Sequence, residues 1–142
     1  MIAVEAKVSE PFDDLVSVWI FKKGKANPKS PPHRTRQVVR YAEAFGMKPE
    51  QLLEIRYQLL QRTLCAALTA KQPRVSRAWM VGQSFPSGDG GEKHLRNRED
   101  FSRFVALVGQ TPSVRLGLLP HVDAVAVRIA WTSEDGLHSE KR

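Results

Sequence analysis

Residues 2–8 read IAVEAKV, and with a period of two they place Ile2, Val4, Ala6 and Val8 on one face and Ala3, Glu5 and Lys7 on the other. The pattern predicts a strand with one core face, the apolar one. SEPFDDLVSVWIF, residues 9–21, predicts a short helix. Ser9 is its N-cap, Pro11, Asp13 and Asp14 form its first turn, and Phe12, Val16, Trp19 and Ile20 recur at helical spacing. Two further helices follow, from about Thr35 to Phe45 with Gly46 as its stop, and from Pro49 to about Ala70. On the second, Leu52, Ile55, Leu59, Leu60, Ala66 and Ala67 make an apolar arc facing away from Glu54, Gln58, Gln61 and Arg62, with Arg56 inside the arc. Arg77 to Phe85 reads as a buried strand, Pro86 to Lys93 as a loop, Asn97 to Val108 as a helix ended by Gly109, and Val122 to Trp131 as another strand. Strands alternating with helices imply an α/β domain over residues 1–132, followed by a polar, disordered tail over 133–142.

Composition narrows the class. The chain has 142 residues, 42% hydrophobic and 26% charged, which suits one globular domain. Its longest apolar run, Leu15 to Phe21, is far short of the roughly 20 residues that cross a bilayer, and no secretory signal is evident. Cys65 is the only cysteine, so neither an intrachain disulfide nor a cysteine zinc site can form, and a cytoplasmic location is expected. The net charge is +7, and the segment from Lys22 to Arg40 holds Lys22, Lys23, Lys25, Lys29, Arg34, Arg36 and Arg40 with no acid among them. Such a segment suits a nucleic-acid backbone, while a solvated loop explains it equally well.

Glu5 and Lys7 carry the chemistry. Two apart on a strand, they project from one face and can address one ligand together. The carboxylate suits a divalent cation, and the ammonium suits an attacking water or the charge that builds on phosphorus during phosphodiester hydrolysis. The same pair also decorates the solvent face of many strands. Glu10 offers a second acid just beyond the strand. Glu54, Gln58 and Arg62 form a polar stripe four residues apart, which is either functional or ordinary helix surface. Arg56, inside an apolar arc, needs an ion-pair or phosphate partner. The histidines show no metal-ligand spacing and read as surface or loop residues, GDGGEK (88–93) is not a P-loop, and no nucleophile elbow is present.

VEAKVSEPF (4–12), RYQLLQRT (56–63) and AWMVGQSF (78–85), in this order, resemble an uncharacterised bacterial family that looks like a branch of the PD-(D/E)XK nuclease superfamily. The resemblance implies a small mixed sheet flanked by helices, a restriction-endonuclease-like core. It also implies Glu5 and Lys7 as catalytic residues with Gln58 contributed by the following helix, and a Mg²⁺ ion held by Glu5 and the Ala6 carbonyl, to which the nearby Glu10 would add a second acid. The superfamily's other metal-binding acid lies on a preceding hairpin strand, for which four residues before Glu5 leave no room. Two functions are therefore expected: metal-dependent cleavage of nucleic acid, or a non-catalytic domain that binds nucleic acid or protein on a degenerate scaffold. Loss of the hairpin would also leave the Glu5 strand as an exposed edge for self-association.

Overall fold

A computed structural model describes residues 2–7, 10–22, 31–71, 76–85, 91–117 and 124–132. The elements are β1 (Ile2–Lys7), a single turn α1 (Val16–Trp19), α2 (Pro31–Phe45), a 3₁₀ turn (Pro49–Leu52), α3 (Tyr57–Lys71), β2 (Arg77–Ser84), α4 (Glu92–Val108), β3 (Ser113–Arg115) and β4 (Ala124–Thr132). The strands form one mixed sheet in the order β1-β2-β4-β3, with β1, β2 and β4 parallel and β3 antiparallel to β4. The expected mixed α/β fold is thus present. The disordered tail and His121 and His138 lie outside the described residues.

Stepping from β1 to β2 to β4 moves in one direction across the sheet. Right-handed crossovers in one direction bring their helices to the same face. Register agrees: Glu5 pairs with Gly82 and Gly82 with Trp131, so all three share a face. Glu5 meets α3 there, while the position of a Cβ on Gly82 falls against Phe101 of α4. The buried side chains of β2 and β4, including Ala78, Met80, Val127 and Ile129, lie on this face and pack with Leu59, Leu60, Ala67 and Phe104. Among the described residues the opposite face is open, with Trp79 exposed and Arg128 stacked over its ring at 5.3 Å.

β1 is turned the other way from its apolar reading. Glu5 and Lys7 are each 7% exposed, Ala6 is exposed, and Ile2 is 65% exposed. A strand's two faces swap with a one-residue change of register, so the neighbours decide which face enters. Here the parallel ladder sets Glu5 and Lys7 beside the buried Gly82 and Ser84.

Other boundaries moved for local reasons. The long helix expected from Pro49 is broken at residues 53–56, because that backbone pairs with the start of α1 and the residues just before it: Val16 N–H donates to Ile55 O at 2.9 Å, Ser17 N–H to Leu53 O at 3.0 Å, and Tyr57 N–H to Asp14 O at 3.0 Å. Arg56 leaves the helix at this break. Its Nε meets Asp100 Oδ2 at 2.6 Å, and its Nη1 donates to Asp13 O at 3.1 Å, so the arginine in the apolar arc is an internal ion pair. α4 begins five residues earlier than its apolar spacing suggests, after Gly91 with φ of +80°. β3 is too short for a period-two signal.

Gly82 lies where α4 approaches the sheet closely. A Cβ there would stand 2.5 Å from Phe101 Cε2 and 3.3 Å from Trp131 Cε3. Gly82→Ala should therefore lower stability by about 1–3 kcal/mol through overpacking. Urea unfolding checks this, and an unchanged midpoint would mean that the helix does not rest on the glycine.

Candidate functional site

The polar centre lies at the C-terminal ends of the parallel strands, where open α/β sheets present ligand sites. β1 supplies Glu5 and Lys7 from one face, and α3 supplies Gln58 and Arg62, one helical turn apart. Glu5 Oε1 accepts from Gln58 Nε2 at 2.6 Å and lies 3.1 Å from Lys7 Nζ. Glu5 Oε2 accepts from Arg62 Nε at 2.5 Å. Burial of this carboxylate is offset by two cations and an amide. Arg62 was legible only as part of a polar stripe. Its place on Glu5 comes from the crossover that lays α3 over β1.

Glu10 stands on the far side of Lys7, 4.0 Å from its ammonium and 61% exposed at its side chain. Its main-chain oxygen accepts from Asn97 Nδ2 at 3.1 Å, and the same amide lies 3.3 Å from Ser84 Oγ, which ties β2 and α4 to the segment after β1. Lys7 O accepts from Phe85 N–H at 2.9 Å. Strand alternation therefore turns the Ala6 carbonyl to the outer edge of β1. His94 is buried against Trp131, ring centroids 5.9 Å apart, rather than at the surface.

These groups do not fit a divalent cation as they stand. Mg²⁺ requires near-octahedral oxygen ligation. Protein donors take three of the roughly four acceptor sites of the Glu5 carboxylate, and the Lys7 ammonium lies 3.1 Å from Glu5 and 4.0 Å from Glu10. Among the described residues, no three His, Cys, Asp or Glu side chains gather into a metal site.

The basic segment is spread over different roles. Lys23, Lys25 and Lys29 lie outside the described residues. Lys22 pairs with Asp14 at 2.8 Å and Asp13 at 3.3 Å, hydrogen bonds that hold its pKa above the ordinary lysine value. Arg34 is buried, with Nη1 donating to the carbonyls of Trp19, at 2.6 Å, and Lys22, and its guanidinium 5.1 Å from the Trp19 ring centroid. It closes the end of α1 instead of facing solvent. Arg36 and Arg40 remain exposed on α2. With His33, Gln37 and Tyr41 they line a shallow groove of about 360 Å³.

Behind that groove, Gln37 Nε2 donates to Tyr41 Oη at 2.6 Å and to Tyr57 Oη at 3.1 Å, and the two phenol oxygens are 3.4 Å apart. Tyr57 also stacks on Trp19, with ring centroids 3.8 Å apart. Burial, and then the Tyr41 hydrogen bond, raises the Tyr57 phenol well above the ordinary tyrosine range.

Two predictions follow from this geometry. Glu5→Ala leaves the buried Lys7 ammonium with only the exposed Glu10, 4.0 Å away, and should cost about 3–5 kcal/mol, whereas Arg62→Ala, whose side chain is 43% exposed, should cost about 1 kcal/mol or less. Urea unfolding ranks them, and a larger loss for Arg62→Ala would contradict the assignment. Because the Tyr57 phenol ionises at higher pH folded than unfolded, its contribution is intact below about pH 10 and is lost as pH rises further. Tyr57→Phe should flatten that alkaline loss, and an unchanged slope of stability against pH would rule the phenol out as its source.

No curated protein and no solved structure matches the chain. No helix among the described residues is long and apolar enough to cross a membrane. A family model described as "domain of unknown function (DUF6946)" matches residues 1–136, nearly the whole length and all of the elements above. The chain belongs to that family.

Proposed function

We propose that this domain binds the phosphodiester backbone of nucleic acid and does not cut it. The carrying observation is the closed Glu5 cluster. Arg62, Gln58 and Lys7 take both carboxylate oxygens, so the group that would hold a catalytic cation serves as an internal counter-ion. Lys7 is spent in the same pair, which leaves it poorly placed to orient a water. The three motifs that resemble the PD-(D/E)XK superfamily support descent from a nuclease scaffold, on which this cluster keeps the architecture without a complete metal site. A net charge of +7 favours an anionic partner, and the lone Cys65 suits work in a reducing cytoplasm.

The test is fluorescence anisotropy with labelled single-stranded and duplex DNA and RNA, followed by incubation with Mg²⁺ and gel analysis. The expected result is binding that weakens linearly in log–log form as salt rises, by about 0.7–0.9 in slope per phosphate neutralised, with the strands intact. Mg²⁺-dependent cleavage that disappears in Lys7→Ala would replace this reading with hydrolysis. Failure to bind any of the four would reject it.

A further inference from the structure

The α2 groove is separate from the Glu5 cluster, and its chemistry is one-sided. His33, Arg36, Gln37, Arg40 and Tyr41 recur at spacings of three and four, so they form one face of the helix, and no acid lines the groove among the described residues. Arg36 and Arg40 have no ion-pair partner there, unlike Lys22, Arg56 and Arg62.

The polar floor adds a second requirement. Gln37, Tyr41 and Tyr57 bring two amide and two phenol hydrogens to a triangle closed by three contacts. Each contact uses one hydrogen, so at least one donor is left over whichever way the hydroxyls turn. Tyr57 is buried and Tyr41 half-buried, and a donor withdrawn from water without an acceptor is costly. Where the Tyr57 hydroxyl donates to Tyr41 Oη, the surplus hydrogen is that of Tyr41, which lines the groove together with Arg36 and Arg40. An acceptor that carries negative charge satisfies all of them at once. Guanidinium forks match the oxygens of phosphate in particular.

We infer that the groove lined by His33, Arg36, Gln37, Arg40 and Tyr41 seats a single phosphate group, that of a nucleic-acid strand, with the Arg36 and Arg40 guanidinium groups and the Tyr41 hydroxyl as its donors. In taking the phosphate from nucleic acid, the inference rests on the function proposed above and gives it a location. Other residues are not needed: Arg34 is turned inward and Lys22 is paired with Asp13 and Asp14.

The experiment compares wild type, Arg36→Gln/Arg40→Gln, Tyr41→Phe and the control Arg98→Gln, an exposed arginine on α4. Two probes are used: inorganic phosphate, read as a rise in Tm, and a labelled oligonucleotide, read by anisotropy over a range of salt. The double variant should lose the phosphate-dependent rise, bind the oligonucleotide at least tenfold more weakly, and show a salt slope shallower by about 0.7–0.9, the share of one phosphate. Tyr41→Phe should bind severalfold more weakly with its salt slope unchanged, since it removes a hydroxyl and no charge. Arg98→Gln should match wild type. If the double variant and Tyr41→Phe behave like Arg98→Gln while wild type binds the oligonucleotide, the groove is not the seat and the wider function stands. If wild type binds no oligonucleotide but phosphate raises Tm through the groove residues, the site stands for free phosphate and the nucleic-acid reading fails. No response to either probe overturns both. A Tm in probe-free buffer that stays near wild type in each variant excludes misfolding as the cause.

Discussion

A carboxylate withdrawn from water, Glu5, must be matched by charge and hydrogen bonds or it will not stay buried. Lys7, Gln58 and Arg62 supply that match, and the arrangement of β1 depends on it. Turning the strand over would put Ile2 and Ala6 against α3 and leave Glu5 and Lys7 on the open face. The cluster therefore sets the facing of β1, its register against β2 and the height at which α3 crosses the sheet. Each of these alters the others, because the same helix that carries Gln58 and Arg62 also carries Leu59 and Leu60, which are fully buried.

The helix α3 joins the two polar regions of the molecule. Tyr57 reaches toward α2 through Gln37 and Tyr41, while the next residue, Gln58, reaches β1. Trp19 stacks on Tyr57, and Arg34 holds the end of the turn that bears Trp19. Core packing on one side of α3 therefore positions hydrogen-bonding groups on its edges. The Arg56–Asp100 pair closes the same N-terminal end of α3, where the chain breaks away from helical geometry to pair with residues 14–17.

Much of the fold was legible in residue patterns, because helical spacing shows in α3 and α4 and apolar runs bounded by turn residues show in β2 and β4, the latter with only imperfect alternation. The polarity of β1 was not, since an apolar alternation names two faces and only the neighbouring strands say which is buried. The break at residues 53–56 was invisible for a similar reason: its cause is a backbone far away in sequence, at Leu15, which bridges to Arg56. Glu5 and Lys7 were identifiable as candidates from their types and spacing and Gln58 only through the resemblance to the PD-(D/E)XK superfamily, and the structure brings the three together. Arg62 was not singled out, because a polar stripe on a helix gives no sign of which member meets a buried acid. Arg34 stood in a run of cations that looked uniform, yet a tertiary contact with the end of α1 sets it apart from Arg36 and Arg40.

The most direct measurement is the ¹⁵N side-chain NMR signal of Arg62 Nε–H, followed through a titration with Mg²⁺ into the millimolar range. An Arg62 held by Glu5 as an internal counter-ion keeps a protected Nε–H signal whose position does not respond to the metal. A saturable shift or loss of that signal, with Glu5→Gln abolishing the response, would show that Glu5 exchanges its arginine for a cation and would contradict the central claim.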